Sequence, residues 1–207
     1  MKNPICTLLF LLISSSISYS QGSGNTGEYV PTLNNKVGFA GSMFSGYGLS
    51  YEYNLSRAYT IEFTGSIYGT GGSNNNSTDY QSSYLVGTIG TELQRDFYTG
   101  HDSRFYSFVG FSFWVDNTNY NYNFDTDNTN DTYTHESDYV AGIGLGWEYA
   151  LSRRFIINVE CGYLYRDINT KGTNYVYPPL GGKRIEAYAD HKYYIGFGVG
   201  AGIYYAF

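Results

Sequence analysis

HKYYIGFGVGAGIYYAF, residues His191 to Phe207, alternates large and small side chains with a period of two. One face carries the apolar set Tyr193, Ile195, Phe197, Val199, Ala201, Ile203, Tyr205 and Phe207. The other face carries Tyr194, Gly196, Gly198, Gly200, Gly202 and Tyr204. A strand of a soluble protein buries one face and wets a polar one, and this stretch has no polar face. The pattern predicts a strand whose large face meets lipid and whose small face turns into a narrow lumen.

The composition of the whole chain agrees with a barrel of strands. Its 25 Tyr, 13 Phe and 26 Gly favour strands and tight turns over helices. At 207 residues there is room for one domain. In a membrane barrel, lipid-facing and lumen-facing residues alternate, so its strands do not appear in a hydropathy plot. The lack of a long apolar run beyond the N-terminal residues is therefore compatible with a barrel that spans a membrane. The net charge of -6 argues against a nucleic-acid partner, because phosphate binding needs a basic surface.

The N-terminus has the parts of an export signal. Lys2 supplies a basic start, Ile5–Ile13 is a short apolar segment, and small residues precede a cleavage site after residue 20. Residues 1–20 are therefore predicted to be a signal peptide. Residues 21–35 are predicted to be a short periplasmic lead-in, because they are polar with Gly and Pro. The barrel is assigned to residues 36–207.

The rest of the chain divides into alternating segments. The predicted strands are 37–43, 47–53, 59–67, 84–94, 105–116, 139–151, 155–166 and 191–207. Parity is unbroken from residue 37 to residue 53, so a hairpin at Ser45-Gly46 and one long strand are the two alternatives there. We favour the hairpin, because it makes the strand count even and leaves the N-terminus in the periplasm. Both faces of the fifth segment are bulky, so its orientation stays open.

Turn lengths and an internal repeat support this register. Gly48–Arg57 matches Gly144–Arg153 as G-x-x-[YW]-E-Y-x-L-S-R, and both copies place a short turn between two strands. Long polar connections over 69–83, 117–138 and 167–190 are predicted to be external loops, and residues 95–104 are predicted to be a turn. Short turns at one end and long loops at the other are typical of outer-membrane barrels.

The export signal, the glycine-rich strands, the repeated hairpin motif and the terminal aromatic resemble the small eight-stranded outer-membrane β-barrel family that includes OmpX and the transmembrane domain of OmpA. The resemblance covers residues 36–207. It implies an all-β, antiparallel, up-and-down transmembrane barrel of about eight strands in the outer membrane of a Gram-negative bacterium, among lipid and lipopolysaccharide. It further implies that Tyr205 and Phe207 belong to an insertion signal that the barrel assembly machinery recognises.

Five carboxylates face the predicted lumen by parity: Glu52, Glu62, Glu92, Glu148 and Glu160. Buried charges need partners, and the candidate cations are Lys36, Arg57, Arg95, Arg153, Arg166 and Lys192. An eight-stranded barrel leaves little room for water. We therefore predict a structural salt-bridge network that plugs the lumen, with a proton or ion path as the alternative.

Enzyme and metal motifs are weak. His135-x-Ser137 resembles the His-x-Ser pair of lipid A deacylase barrels, but Glu148 lies eleven residues further along with opposite parity. A catalytic triad needs hydrogen-bond contact between its members. The acidic stretch 125–136 approximates a calcium loop but lacks the glycine at its sixth position. No catalytic, metal or cofactor residue is therefore assigned, and a lipid A-modifying enzyme is the least favoured alternative.

The longest polar connection interleaves Tyr and Asn. Its aromatic residues are Tyr120, Tyr122, Phe124 and Tyr133, with Tyr175 and Tyr177 in the last connection. Tyr supplies contact area at low entropic cost and Asn supplies adaptable hydrogen bonds. The pattern indicates an external adhesive or ligand-binding surface, the alternative being a merely solvated loop. Two functional classes remain: a non-enzymatic barrel with a structural or binding role, and a narrow channel or lateral conduit for small or apolar solutes.

Overall fold

The structure is a computed structural model that describes residues 35–74, 79–123, 129–176 and 184–207. Within these ranges eight antiparallel strands pair in chain order, and the last pairs with the first to close a ring. The strands are β1 Asn35–Ser42, β2 Gly46–Asn54, β3 Tyr59–Asn74, β4 Asp79–Thr99, β5 Ser103–Asn123, β6 Thr129–Ala150, β7 Phe155–Val176 and β8 Arg184–Ala206. None of the described residues forms a helix capable of crossing a membrane. The predicted fold class, an all-β up-and-down barrel of eight strands, is confirmed.

The two ends of the barrel differ. Short turns and both ends of the described chain lie at one end, called the inner end, while the long hairpins lie at the outer end. The predicted signal peptide and nearly all of the lead-in lie outside the described residues.

The outward face of the barrel is apolar over the height of a membrane. Side chains such as Phe39, Ile89 and Ile195 point away from the lumen and are 67%, 67% and 71% exposed. The apolar band ends toward the outer end at Ile67, Leu85, Tyr139, Tyr165 and Tyr193. Beyond these residues the outward positions are mostly polar. This is the surface of a barrel that spans a bilayer.

The first two strands form a hairpin, as favoured, and the alternative of one long strand is wrong. They pair from Asn35↔Tyr53 to Ser42↔Gly46. The turn comes slightly earlier than predicted and is followed by Gly46 with φ +88° and Gly48 with φ +129°. Only glycine adopts such φ values without strain, so these two residues allow the chain to turn where it does.

The predicted external loops and the predicted 95–104 turn are mostly strand, which corrects the expectation from sequence. Pairing of β5 with β6 continues to Asn123↔Thr129, and pairing of β7 with β8 continues to Val176↔Arg184. Tyr and Thr suit strands, and a continued ladder satisfies backbone groups that a loop would leave to water. The wall of the barrel therefore extends beyond the apolar band.

The β1–β2 hairpin is much shorter than its neighbours. β1 pairs with β8 only up to Ser42↔Gly200, and β2 pairs with β3 only up to Leu49↔Gly65. Beyond that height, no ladder among the described residues joins β3 to β8. Tyr68 and Tyr194 have lumen-facing parity, yet they are 63% and 50% exposed, because no strand covers them. We call this break between β3 and β8 the wall gap.

Candidate functional site

The turn of the β1–β2 hairpin bends into the lumen. Phe44 is fully buried, and its ring meets that of Phe108 edge-to-face at a centroid distance of 4.8 Å. A Cβ added to Gly110, Gly142 or Gly198 would lie 2.5 to 2.9 Å from a Phe44 atom, so three strands carry glycine where this side chain passes. The residues buried together here, called the Phe44 cluster, are Phe44, Tyr106, Phe108, Val140 and Leu164.

Between the Phe44 cluster and the inner end lies an ion-pair network of Lys36, Glu52, Asp96, Arg104 and Glu148. The Lys36 ammonium is 2.7 Å from Glu52 and 2.7 Å from Glu148. The Arg104 guanidinium is 2.6 Å from Glu148 and 3.3 Å from Glu52. It also reaches Asp96 at 2.9 Å. Each cation therefore bridges the same two glutamates, which places two of the five predicted lumen carboxylates in one network.

Arg104 is the central cation that sequence reasoning missed. The sequence pattern puts it in a turn over 95–104, but β4 continues to Thr99 through a bulge and β5 begins at Ser103. Its guanidinium also donates to Gln94 at 2.6 Å and lies 4.6 Å from the centroid of the Tyr106 ring. Arg104 shares parity with Tyr106 and the other lumen residues of β5. That parity was the available signal.

The other predicted cations lie elsewhere. Of the six, only Lys36 enters the network. Arg166 pairs with Asp138 near the outer end, and Lys192 pairs with Asp190 at 2.7 Å on the outer extension of β8. The remaining three make no ion pair among the described residues: Arg57, Arg95 and Arg153.

The remaining predicted glutamates, Glu62, Glu92 and Glu160, form a carboxylate triad beside the Phe44 cluster. One oxygen from each lies within 4.8 Å of the others, and all three side chains are buried. Their described hydrogen-bond donors are neutral, for example Tyr204 to Glu62 at 3.0 Å and Tyr106 to Glu160 at 2.9 Å. Three buried carboxylates this close repel one another unless they share protons or hold a cation.

The predicted binding residues are only partly within the described structure. Tyr133 lies in β6 and is 46% exposed. The backbone of Tyr120 and Tyr122 belongs to β5, paired with Thr132 and Asn130. Phe124 and Tyr177 lie outside the described residues, and Tyr175 belongs to the outer part of β7. The described part of this surface therefore belongs to paired strands.

The two residues of the predicted insertion signal lie together at the inner end. The Tyr205 hydroxyl accepts a hydrogen bond from Arg154 at 2.6 Å. Phe207 is exposed, and its backbone N–H donates to the carbonyl of Asn35 at 3.0 Å. This last bond joins the first and last described residues of the chain, which both lie at the inner end.

The His135-x-Ser137 pair is not assembled with a carboxylate. The His135 ring is hydrogen-bonded to Asn117. Glu148 belongs to the ion-pair network, and Glu136 accepts from Thr170 at 3.2 Å. Among the described residues, no acid bonds to His135.

Comparison with known proteins finds distant structural likenesses only. A major outer membrane protein from Thermus thermophilus matches 82% of this chain and 98% of its own, with TM-score 0.46 and 11% identity. Acinetobacter baumannii CarO2 matches 84% of this chain and 99% of its own, with TM-score 0.39 and 9% identity. Acinetobacter baumannii CarO matches 84% and 98%, with TM-score 0.38 and 8% identity. No protein-family model and no curated protein matches the chain. Likenesses this distant carry no argument about activity.

Proposed function

We propose that this chain is an integral outer-membrane β-barrel protein whose lumen does not conduct and whose activity lies at its outer end, in a structural, adhesive or binding role. The apolar band on the outward face supports the membrane location. The Phe44 cluster lies next to the ion-pair network, and the two fill successive levels of the lumen. This packing is the observation that supports a closed lumen and, with it, an activity at the outer end.

Ion passage would require both levels to open. Arg104 and Lys36 are held by carboxylates at 2.6 to 2.7 Å and are almost fully buried. Separating buried charges from their partners costs several kcal/mol. The Phe44 cluster above them also fills the lumen with buried rings, which an ion would have to displace.

Conductance of the refolded protein in planar bilayers tests this proposal. We expect no steady single-channel current from the wild-type barrel, while a porin refolded in the same way supplies the positive control. Steady currents from the wild type would contradict a closed lumen.

The outer binding surface is tested on whole cells. Replacement of Tyr120, Tyr122, Phe124 and Tyr133 by Ser is expected to reduce binding of expressing cells to extracellular matrix or to other cells. The matched control replaces Asn119, Asn121 and Asn123 by Ser on the same hairpin and keeps the aromatics. Equal binding by both variants and the wild type would exclude an aromatic adhesive surface and leave the structural role.

Kinship with the small eight-stranded barrels, including recognition by the assembly machinery, is part of the proposal. Tyr205 and Phe207 both lie outward at the inner end, as an insertion signal on the last strand requires. We expect Phe207→Ala to slow assembly in cells while leaving refolding in detergent unchanged. Normal assembly of this variant would remove Phe207 from the signal.

A lateral conduit for apolar solutes is the second candidate, and the wall gap favours it. Strand edges without partners occur rarely at membrane depth, and here Tyr68 and Tyr194 flank the opening. A Tyr68→Cys/Tyr194→Cys protein, made in a Cys161→Ser background because Cys161 is exposed, allows the opening to be bridged with a bifunctional thiol reagent. Entry of an apolar dye into proteoliposomes should fall after bridging if the gap is a path. Equal entry before and after bridging would eliminate this candidate.

A further inference from the structure

A cavity of about 210 Å³ lies in the lumen on the outer side of the Phe44 cluster. A single water needs roughly 10–15 Å³ on the same measure, so the cavity has room for a small organic molecule. The aromatic part of its lining is Tyr47, Tyr84 and Trp114. The charged part is Asp116, Glu136, Asp138 and Arg166. We call this the outer cavity.

The aromatic residues of the outer cavity come from separate elements. Tyr47 follows the β1–β2 turn, and its ring meets that of Trp114 on β5 at 4.7 Å, at an interplanar angle of 72°. Trp114 Nε1 is buried without a hydrogen-bond partner. The hairpin that enters the lumen therefore brings an aromatic ring against Trp114, whose ring centroid also lies 5.9 Å from the Arg166 guanidinium carbon.

The carboxylates of the outer cavity are short of cations. Asp116 and Glu136 lie directly opposite each other in the β5–β6 ladder, an arrangement that is destabilising for like charges. Neither makes an ion pair among the described residues. The nearby cation Lys192 bonds instead to Asp190 at 2.7 Å.

Asp138 adds a carboxylate oxygen that is already buried. Its Oδ2 accepts from Arg166 Nε at 3.0 Å, while its Oδ1 is buried with no partner. Arg166 is the one cation among the lining residues. With three carboxylates against one guanidinium, the lining has a formal charge of -2. A buried acceptor without a donor indicates that the site is completed by something that donates.

We propose that the outer cavity binds a small organic cation with an apolar body, such as an arylalkyl ammonium. An ammonium group donates to Asp138 Oδ1 and lies between Asp116 and Glu136, which relieves their repulsion. The apolar body packs on Tyr47 and Trp114, whose ring faces also attract positive charge. An inorganic cation would leave the aromatic residues unused, and a neutral apolar ligand would leave the carboxylates uncompensated.

This inference rests on the proposed location of activity at the outer end, but it does not depend on conductance. Binding to refolded protein in detergent can be measured whether or not the lumen conducts. A conducting barrel that still binds the cation would contradict the closed lumen alone. A silent barrel that ignores the cation would contradict the outer-cavity site alone.

The test uses three probes that share one ring: benzylammonium, benzyl alcohol and benzoate. The chain has two Trp residues, so Trp147→Phe leaves Trp114 as the fluorescent reporter inside the cavity. We expect benzylammonium to shift Trp114 emission with an affinity at least about tenfold above that of benzyl alcohol, in line with charge and cation–π contributions. We expect benzoate not to bind. Equal affinity for the ammonium and the alcohol would overturn the proposal.

Two variants separate the carboxylates from a general effect of charge. Asp116→Asn/Glu136→Gln removes the opposed pair without touching Arg166, and we expect it to weaken benzylammonium binding at least about tenfold while the unboiled barrel still forms on gels. Asp167→Asn is the matched control, because Asp167 lies on the outward face of β7 at the same end, is bonded to His191 and does not line the cavity. Unchanged binding by the double variant, or an equal loss with Asp167→Asn, would also overturn the proposal.

Discussion

Arg104 is the side chain on which the inner half of the lumen depends most. It contacts three carboxylates and the amide of Gln94, and it is buried. Removing it leaves Lys36 as the single described cation facing Glu52 and Glu148. A buried charge without its partner is among the costliest defects a fold can carry.

We therefore expect Arg104→Met to lower the free energy of unfolding by about 3–5 kcal/mol. Urea unfolding of the refolded protein in detergent micelles provides the measurement. The control is Arg57→Met, an exposed turn residue, for which we expect a change within about 0.5 kcal/mol. Equal stability of the two variants would show that the network contributes little.

Removing a charge from the carboxylate triad is expected to raise the free energy of unfolding, in contrast to removing one from the ion-pair network. Glu92 has one oxygen held by Gln94 at 3.1 Å and the other buried without a donor. Glu92→Gln removes one negative charge and supplies an amide that can donate to its neighbours. We expect a gain on the order of 1 kcal/mol in the free energy of unfolding, and no change when EDTA is added to the wild type. Destabilisation both by the substitution and by EDTA would show instead that the triad holds a metal ion.

Among the elements, the β1–β2 hairpin determines both the opening in the wall and the filling of the lumen. Being short, it opens the wall gap, and its inward turn fills the middle of the lumen with Phe44. The surrounding glycines are a packing requirement here. A Cβ on Gly142 would lie 2.5 Å from Phe44 Cδ1 and 3.1 Å from the backbone oxygen of Tyr163.

Gly142→Ala is expected to displace the hairpin turn and destabilise the barrel by about 1–3 kcal/mol, the usual cost of overpacking. Gly41→Ala is the matched control, since nothing lies within 4 Å of its added Cβ. Thermal unfolding of the two variants in the same detergent gives the comparison. A Gly142→Ala barrel as stable as Gly41→Ala would mean that Phe44 is not confined.

The strand extensions beyond the apolar band carry exposed ion pairs. A hydrogen bond from Lys192 holds the pKa of Asp190 below its usual range, and the same bond raises the pKa of Lys192. A carboxyl whose pKa is lower in the folded state stabilises the fold at pH values above its unfolded-state pKa, which is about 3.9. This contribution is lost as the pH falls through the folded-state pKa.

We expect an NMR titration to place the Asp190 transition below the ordinary aspartate range. Lys192→Met should return it to that range, while Lys171→Met, on the neighbouring strand opposite Ala189, should not. Overall stability should change little, because both partners are exposed. An Asp190 titration that ignores Lys192→Met would disprove the pairing.

Across the whole molecule, closure of the ring depends on pairing of the first strand with the last. β1 meets β8 from Lys36↔Ala206 to Ser42↔Gly200. Deleting residues 203–207 removes the inner rungs of this ladder and opens two strand edges in a membrane environment, where unpaired backbone groups are costly.

We expect the full-length chain to need detergent and to migrate differently on gels before and after boiling. The chain without residues 203–207 should lose the compact unboiled form. Phe207→Ala, which alters a residue beyond the ladder, should keep it after refolding in detergent. Identical migration of boiled and unboiled full-length protein would contradict the closed barrel itself.

Strand positions and faces could be predicted from the chain because alternation with a period of two is a local property. The parity that placed Glu52, Glu62, Glu92, Glu148 and Glu160 in the lumen needed no partner to be known. The lengths of the outer hairpins were underestimated, because polar Tyr, Asn and Thr residues read equally well as loop or as solvated strand. Pairing with the neighbouring strand decides between the two.

The order of residues along the chain is enough to specify an eight-stranded barrel with apolar residues outside and with glycine and carboxylates inside. Which carboxylates meet depends on the assembled ring. The folded barrel places Glu52 and Glu148 against Lys36 and Arg104, and it leaves Glu62, Glu92 and Glu160 together. It also sends Phe44 and Tyr47 across the lumen to β5. The cause is that parity specifies the face of a side chain, whereas its partners across a lumen depend on strand stagger, which is set by the closure of the whole ring.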